Sequence, residues 1–391
     1  MEFENHSLAI VADENIPEVE SYFSSLGSVT RVDGRLLTND QLKDADILLV
    51  RSVTDVNEAL LAGTRVRFVA TATIGTDHLD IDYLDNNGIG WASAPGCNAD
   101  SVVDFVISAI CRMEGLLKWL LADGVVGIIG LGNVGSRLYR RLDELGISCL
   151  GYDPLIKQGQ YPILSDLDSV LAADVICLHA PLTIDGNHPS YHLLNAQRLG
   201  SLRSGTVIIS AGRGAVVDTA ALQAMLGERD DIGTVLDVWE NEPNINIELM
   251  KRVDFVSPHI AGYSFDGKLT GTEMIYHACC QFLEVEADRI GTKVLALTLD
   301  HGDLDIVISE KTDVVNAIKE AVLASYDIAE DDQRLRGQML HCGESERGTK
   351  FDQLRKNYPV RREFSKFRIA NAEELAVPVA AALQTLGFNC H

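Results

Sequence analysis

The stretch Val125-Val-Gly-Ile-Ile-Gly-Leu-Gly-Asn-Val-Gly135 decides the fold of this chain. A short apolar run leads directly into three spaced glycines, and a segment with helical spacing follows. In such a unit Gly130 allows a tight turn, Gly132 lets a diphosphate approach the backbone, and Gly135 lets the helix pack on the strand. The helix N-terminus then offers free N–H groups and a partial positive charge to the phosphates. The stretch therefore predicts a dinucleotide-binding strand, loop and helix.

Asp153 supports this interpretation and indicates which dinucleotide is bound. It ends the next apolar run, 21 residues after Gly132. A carboxylate at that place accepts hydrogen bonds from the ribose hydroxyls and repels a 2′-phosphate. The sequence therefore predicts NAD rather than NADP as the cofactor.

Apolar runs on both sides of the glycine-rich stretch predict two α/β domains. Upstream, Leu8–Val11, Ile47–Val50 and 68–73 have the character of buried parallel strands, with a helix predicted over Pro17–Leu26. A long helix over Ala99–Leu121 joins this part to the second domain. Six strands are predicted there, at 125–129, 147–152, 174–178, 206–210, 233–237 and 253–256.

The chain changes character past about residue 290. Alternating apolar stretches at 294–299 and 305–308 precede a helix and a basic tract. We predict a doubly wound Rossmann-type dinucleotide domain, a flavodoxin-like substrate domain and a C-terminal α+β domain. The predicted bounds are 1–99 with 263–291 for the substrate domain, 100–262 for the NAD-binding domain and 292–391 for the C-terminal domain. The substrate domain is predicted to be discontinuous because a helical stretch, Asp266–Ala287, fits neither the dinucleotide-binding sheet nor the C-terminal domain.

Composition excludes several classes of protein. Hydrophobic residues make up 46% and charged residues 23%, which are ordinary globular values. The net charge of −24 disfavours nucleic acid and anionic membrane surfaces as partners. The eight cysteines show no metal-ligand spacing and suit a reducing compartment. With no secretory signal and no long apolar segment, we expect a cytoplasmic protein without a metal site.

Three residues that follow predicted strands suggest the chemistry. Arg213 follows the run Thr-Val-Ile-Ile, Glu242 follows the strand that ends near Asp237, and His259 follows the last strand. Ligands bind at these carboxyl ends in open α/β sheets. Oxidation of a secondary alcohol needs a base such as His, a carboxylate orients that base, and Arg suits a carboxylate substrate. Together they predict hydride transfer from a 2-hydroxyacid.

The motifs around these residues resemble the D-isomer-specific 2-hydroxyacid dehydrogenases. The resemblance covers about residues 8 to 290 and rests on Gly-Leu-Gly-Asn-Val-Gly (130–135), Ser-Ala-Gly-Arg-Gly (210–214), Asp-Val-Trp-Glu-Asn-Glu-Pro (237–243) and Ser-Pro-His-Ile-Ala-Gly (257–262). A narrower match to one branch of the family, which acts on a phosphorylated 2-hydroxyacid, rests on Arg-Ser-Val-Thr (51–54), Thr-Ala-Thr-Ile-Gly-Thr-Asp-His-Leu-Asp (71–80), Ala-Pro-Gly-Cys-Asn-Ala (94–99) and Tyr-Pro-Val-Arg-Arg-Glu-Phe (358–364).

The resemblance implies a role for each matching residue. Arg213, Glu242 and His259 would be the catalytic set, with His259 exchanging the substrate proton. The implied cofactor contacts are Asn133 and Val134 on the diphosphate, Asp153 on the ribose, Thr183, Ala211, Gly212 and Arg213 along NAD, Asp237 on the nicotinamide carboxamide, and Gly262 nearby. The implied substrate contacts are Ser52, Thr73 and Tyr263. For Ser52 and Thr73 a second interpretation stays open, because Ser and Thr after strands often cap helices.

Alternatives remain for the function and for the C-terminal part. Another D-2-hydroxyacid dehydrogenase, such as D-3-phosphoglycerate dehydrogenase, is one alternative, and a non-catalytic NAD(H)-sensing binding protein is the other. Residues 345–370 hold eight basic residues against three acidic ones. This tract is either a solvated face or part of a C-terminal dimerisation domain, as the resemblance implies, in which some arginines help to hold the substrate phosphate.

Overall fold

The computed structural model describes residues 8–157, 159–287 and 304–391, which form two compact units. Unit 1 contains residues 8–98 and 264–287. Unit 2 contains the described residues of 99–263 together with 304–391. Each unit is built around its own parallel sheet.

Unit 1 has a five-stranded parallel sheet in the order β2-β1-β3-β4-β5 among its described residues. The strands are Leu8–Asp13 (β1), Gly27–Val32 (β2), Ile47–Val50 (β3), Phe68–Thr71 (β4) and Gly90–Ala92 (β5). This is the strand order of flavodoxin-like folds, so the predicted fold is confirmed. β3 and β4 are wholly buried, as sheet strands covered on both faces must be. The edge strands β2 and β5 were not predicted, because β2 is largely polar and β5 has three residues.

Helices cover both faces of this sheet. They are Val19–Phe23 (α1), Glu58–Leu61 (α2), Ile81–Asn86 (α3) and Phe265–Leu283 (α11). Phe23 of α1 and Tyr276 of α11 meet edge to face, 5.5 Å apart, in the core on one side. The Ser264 hydroxyl caps α11 by accepting from Gly267 N–H at 2.8 Å. The returning helix of the sequence prediction therefore lies in unit 1, and it ends four residues earlier than expected.

Unit 2 has a six-stranded parallel sheet in the order β11-β10-β9-β8-β6-β7. The strands are Val125–Ile129 (β6), Ser148–Tyr152 (β7), Val175–Leu178 (β8), Val207–Ser210 (β9), Gly233–Leu236 (β10) and Phe255–Val256 (β11). Gly151 of β7 forms an isolated parallel bridge with Leu164. The bridge lies at the outer edge of the sheet, where a dinucleotide-binding fold has its third strand. All six predicted strands are confirmed, with ends shifted by up to two residues.

The helices beside this sheet differ from expectation at one place. They are Ala99–Arg112 (α4), Leu116–Leu120 (α5), Asn133–Glu144 (α6), Leu167–Leu171 (α7), Ala196–Gly200 (α8), Thr219–Glu228 (α9) and Ile247–Met250 (α10). The single helix predicted over 99–121 was wrong, because Gly115 adopts φ 72° and interrupts it. A left-handed residue of this kind ends an α-helix.

The described C-terminal region, residues 304–391, is of α+β type, as predicted. It contains the parallel strands Asp305–Ile306 (β12) and Arg368–Ile369 (β13) with the helices Val314–Ser325 (α12), Ile328–Met339 (α13), Arg347–Lys356 (α14) and Val377–Thr385 (α15). The predicted strand at 305–308 is therefore shorter, and the apolar run at 294–299 lies outside the described residues. Ile318 and Phe364 share a buried cluster with Val103 of α4. The division into three domains stays a prediction.

Short 3₁₀ turns complete the described elements at Asn39–Leu42, Gly214–Val216, Glu344–Glu346, Phe364–Lys366 and Ala372–Glu374. Over the residues that the structure describes, no helix is both long and apolar enough to cross a membrane. None of the eight cysteines, all of which the structure describes, is joined in a disulfide. Burial raises the pKa of the Cys111 thiol to about 12, which makes that thiol a poor nucleophile.

A buried arginine fixes the C-terminal region to the rest of unit 2. Arg361 is 6% exposed, and its guanidinium carbon lies 3.8 Å from the centre of the Tyr326 ring. It donates to the carbonyl of Ser101 at the start of α4 and, at 3.5 Å, to the carbonyl of Ile260. The negative charge of the buried Asp104 carboxylate also acts on the Arg361 guanidinium. Removing one member of such a group leaves buried polar groups without compensation.

Arg361→Met is therefore expected to lower the free energy of unfolding by about 3–5 kcal/mol. Urea titration followed by circular dichroism measures this change. The matched control is Arg368→Gln, whose side chain is 51% exposed in its ion pair with Asp305 and whose loss should be hard to detect. Equal effects of the two substitutions would show that Arg361 does not anchor the C-terminal region.

Candidate active site

Three neighbouring strands of unit 2 bring the predicted catalytic residues to one edge of the sheet. Arg213 follows β9, Glu242 follows β10 and His259 follows β11. These strands are adjacent and parallel, so their carboxyl ends lie side by side. All three residues therefore lie after the carboxyl ends of strands, as the sequence predicted.

Glu242 and His259 form a hydrogen-bonded pair. Glu242 Oε2 lies 2.7 Å from His259 Nδ1, and Glu242 Oε1 accepts from Trp239 N–H at 2.8 Å. The His259 side chain is 33% exposed and that of Glu242 is 20% exposed. When Nδ1 donates to the carboxylate, the neutral ring keeps its lone pair on Nε2. The pair thus presents a proton acceptor whose tautomer is set by Glu242.

The ionisation of Glu242 depends on its neighbours. Burial raises the pKa of Glu242, but the charge of His259 and the hydrogen bonds from His259 and Trp239 outweigh it. The pKa of the carboxyl therefore lies below its ordinary value. A carboxylate that stays ionised stabilises an imidazolium on the partner ring.

Asp237 holds the loop that carries His259. His259 adopts φ 57°, a left-handed conformation that costs free energy for a residue with a side chain. The carboxylate of Asp237 accepts hydrogen bonds from Ile260 N–H at 2.7 Å, Ala261 N–H at 3.0 Å and the Ser257 hydroxyl at 2.6 Å. These bonds fix the turn on both sides of His259. The contact of Asp237 with the nicotinamide carboxamide stays a prediction.

The segment 211–213 passes close to the loop after β8. A side chain at Gly212 would lie about 3.0 Å from the carbonyl of Ala180, and Ala211 N–H donates to the carbonyl of Leu178 at 3.3 Å. Arg213 is partly buried, and its guanidinium donates to the carbonyl of Gly212 at 3.0 Å. The turn therefore places a cation at the same sheet edge as His259.

The glycine-rich loop fits a dinucleotide diphosphate. Gly130 adopts φ 90°, and a side chain at Gly135 would meet the carbonyl oxygen of Gly130 at 2.0 Å. A side chain at Gly132, in contrast, would meet no atom within 4 Å, so the space beside it is open. Asn133 and Val134 begin α6 directly after this opening. The three glycines thus have the tight turn, open approach and close packing that the sequence predicted.

The remaining predicted cofactor residues lie in loops after strands of the same sheet. Asp153 follows β7, and its carboxylate accepts from Leu131 N–H at 2.9 Å, which fixes it against the glycine-rich loop. Thr183 follows β8 in a turn closed by Ser190, whose N–H donates to the Thr183 hydroxyl at 3.0 Å. Gly262 lies in the turn that Tyr263 N–H closes on the Ile260 carbonyl at 2.7 Å. Their contacts with NAD stay predictions.

Two of the predicted substrate residues lie in unit 1. Ser52 follows β3 and is exposed, and Thr73 follows β4. The side chains that cap the helices after them belong to Asn57 and Asp80. The alternative that Ser52 and Thr73 serve as N-caps was therefore wrong.

Tyr263, the third predicted substrate residue, lies in unit 2 beside two residues to which the sequence alone gives no role. The guanidinium carbon of Arg355 is 5.6 Å from the centre of the Tyr263 ring, and the ring of Tyr358 meets it edge to face at 6.1 Å. The positive charge of Arg355 also acts on Glu242. The basic tract was noticed in the sequence, but nothing in its spacing distinguished Arg355 from its neighbours.

Comparison with known proteins is consistent with this geometry. The chain is 50% identical to erythronate-4-phosphate dehydrogenase of Cellvibrio japonicus over 98% of this chain and 100% of that protein. It is 44% identical to the Teredinibacter turnerae protein of the same name, over 98% and 99% of the two chains. The chain belongs to the erythronate-4-phosphate dehydrogenase family. The predicted resemblance is therefore confirmed.

Other comparisons place this erythronate-4-phosphate dehydrogenase family member in a wider group. Residues 110–261 match the NAD-binding domain of the D-isomer-specific 2-hydroxyacid dehydrogenases, and residues 304–387 match a domain of unknown function. D-lactate dehydrogenase from Aquifex aeolicus, solved with NAD and lactic acid, is 25% identical. It aligns with a TM-score of 0.58 over 70% of this chain and 95% of its own. The chain is an NAD-dependent dehydrogenase, as the sequence predicted.

Proposed function

We propose that the chain oxidises 4-phospho-D-erythronate to 2-oxo-3-hydroxy-4-phosphobutanoate with NAD, in the synthesis of vitamin B6. The contact of 2.7 Å between Glu242 and His259 carries this proposal, because it provides an oriented base at the sheet edge where Arg213 also lies. The choice of substrate is supported by the relatives, which are named erythronate-4-phosphate dehydrogenases.

Each residue of the proposed catalytic set has a separate role in the reaction. Arg213 binds the substrate carboxylate through its planar fork, which orients C2. His259 Nε2 accepts the proton of the C2 hydroxyl as the carbonyl forms, and Glu242 stabilises the resulting imidazolium. NAD, when bound, supplies the acceptor for the hydride that leaves C2. Ser52, Thr73 and Tyr263 are proposed substrate contacts.

We also propose that the chain is a cytoplasmic homodimer joined through its C-terminal region. Val307, Val360 and Val377 of this region are largely exposed, and covering them would remove apolar surface from water. Light scattering coupled to size-exclusion chromatography tests the proposal, and a monomeric mass at micromolar concentration would contradict it.

A substrate panel tests the proposed activity. NADH formation should be fastest with 4-phospho-D-erythronate and much slower with 3-phosphoglycerate, D-erythronate and D-lactate. A preference for 3-phosphoglycerate would instead support the D-3-phosphoglycerate dehydrogenase alternative. Specific binding of NADH without turnover of any 2-hydroxyacid would support the NAD(H)-sensing alternative.

Asp153→Ser is expected to narrow the preference for NAD over NADP. The native carboxylate repels a 2′-phosphate, and serine removes that charge. The ratio of kcat/KM with NAD to that with NADP measures the change. Asp168→Ser removes an exposed carboxylate of α7 and serves as the control, with an unchanged ratio expected. Equal use of both cofactors by the native chain would refute the role given to Asp153.

A further inference from the structure

A second histidine–carboxylate pair lies in unit 2, outside the proposed catalytic set. His192 Nε2 lies 2.9 Å from Glu240 Oε1, and His192 Nδ1 lies 3.5 Å from Asp218 Oδ2. The side chains of His192 and Asp218 are 26% exposed, and that of Glu240 is 18% exposed. A carboxylate only accepts hydrogen bonds, so Nε2 carries the hydrogen of the shorter contact. The proposed reaction makes no use of this pair.

Glu240 belongs to the loop that carries Glu242. It lies two residues before Glu242, and its Oε2 accepts from Thr219 N–H at the start of α9, at 3.2 Å. Burial raises the pKa of Glu240, but the hydrogen bonds from His192 and Thr219 outweigh it, so this pKa lies below its ordinary value. Both oxygens of Glu240 are therefore bonded, and they hold this loop after β10 in place.

The same histidine contacts the turn that carries Arg213. His192 N–H donates at 2.8 Å to the carbonyl of Ala215, two residues after Arg213. A side chain at Gly214 would meet the backbone of Trp239 at 2.0 Å, so this turn packs directly against the loop after β10. His192 thus joins the two segments, one through its backbone and the other through its ring.

The backbone is strained on both sides of the contact between His192 and Glu240. His192 adopts φ 48°, and Asn241, which separates Glu240 from Glu242, adopts φ 64°. Left-handed residues cost free energy and persist where the surrounding contacts hold them. The Tyr191 ring also stacks on the His192 ring, with their centres 3.9 Å apart. The contact therefore fixes the geometry of two segments that would otherwise relax.

We propose that His192 and Glu240 are positioning residues that hold the Arg213 turn and the Glu242 loop at a fixed distance from each other. The proposal rests on the proposed function, because His192 and Glu240 act on the reaction only through Arg213 and Glu242. A misplacement of about 1 Å between reacting groups is enough to slow a reaction about 100-fold. The hydrogen bond of 2.9 Å opposes such a shift.

The test removes this hydrogen bond while keeping the ring. His192→Phe retains a ring that stacks on Tyr191 but has no donor for Glu240. We expect kcat/KM with 4-phospho-D-erythronate to fall about 10- to 100-fold. His192→Gln keeps an N–H donor toward Glu240 and should recover most of the loss. The control is Arg198→Gln, which removes a hydrogen bond to the Leu193 carbonyl in the same loop and should leave kcat/KM unchanged.

Double variants separate positioning from a merely structural role. His192→Phe is combined in turn with Arg213→Gln, Glu242→Gln and Asp153→Ser. In the first two combinations it should lower kcat/KM by less than about threefold further, because it acts through the residue already lost. With Asp153→Ser, which changes the cofactor part of the site, it should lower kcat/KM by its full factor. An equal further loss in all three combinations would overturn the proposal.

Glu240→Ala breaks the same hydrogen bond from its other end and keeps the outcome decisive if His192→Phe does not fold. It should show the loss expected for His192→Phe and the same dependence on the three combinations. Native kcat/KM in Glu240→Ala, or in a folded His192→Phe, would overturn the proposal.

The proposed function can fail separately from this inference. Native turnover in both Arg213→Gln and Glu242→Gln would refute the proposed function, and the inference would fall with it. Equal further losses in the three combinations, with Arg213→Gln itself impaired, would refute the inference alone. If the native chain prefers 3-phosphoglycerate, the proposed substrate is wrong, and the same comparison with 3-phosphoglycerate tests His192 and Glu240.

Discussion

Replacing His259 by asparagine is expected to lower kcat by about 10²–10⁴-fold, the usual contribution of a general base. Asparagine keeps a polar side chain of similar size but cannot accept the hydroxyl proton. The affinity for NAD, measured by calorimetry, should stay close to native, because the glycine-rich loop and Asp153 are unchanged. Steady-state NADH formation with 4-phospho-D-erythronate measures the loss.

Two variants control this prediction. His277→Asn removes an exposed histidine of α11 and should leave kcat unchanged. Glu242→Gln keeps a hydrogen bond to His259 but removes the charge that faces the imidazolium, so kcat should fall by less than in His259→Asn. A His259→Asn enzyme with native turnover would exclude His259 as the base.

Arg213→Gln should reduce kcat/KM by about 10²–10⁴-fold, because two charge-assisted hydrogen bonds to the substrate carboxylate are lost. Arg213→Lys should recover only a small part, since an ammonium restores the charge but not the planar fork. Initial rates over a range of substrate concentrations separate the effects on KM and kcat.

The control for Arg213 is Arg203→Gln, which breaks an exposed ion pair with Asp174 in the same unit. It should change kcat/KM by less than about twofold, as exposed pairs contribute little. A similar small effect in Arg213→Gln would show that another group binds the carboxylate.

The central strands could be predicted from the sequence because their burial requires continuous apolar runs. β3, β4, β8 and β9 are buried along their whole length, and each was found within two residues. The edge strand β2 was not predicted because one of its sides faces water. Its polar residues interrupt the continuous apolar run that indicates a buried strand. Gly115 interrupts a helix that has helical spacing on both sides, and spacing alone does not show this.

The catalytic set could be predicted because it depends on residues close to strand ends. Arg213, Glu242 and His259 each lie within six residues of a strand, and parallel strands bring those ends together. Contacts between distant parts of the chain leave no such pattern. Arg355 reaches Tyr263 from the C-terminal region, so its place beside Tyr263 could be recognised only from the fold.

The central claim is that His259 accepts a proton while the hydrogen on C2 leaves as hydride to NAD. The most direct measurement uses 4-phospho-D-erythronate labelled with deuterium at C2 and mass spectrometry of the reduced nicotinamide. We expect one deuterium in each NADH formed, with a slower chemical step than for the unlabelled substrate. Unlabelled NADH, or deuterium released to water, would contradict the account.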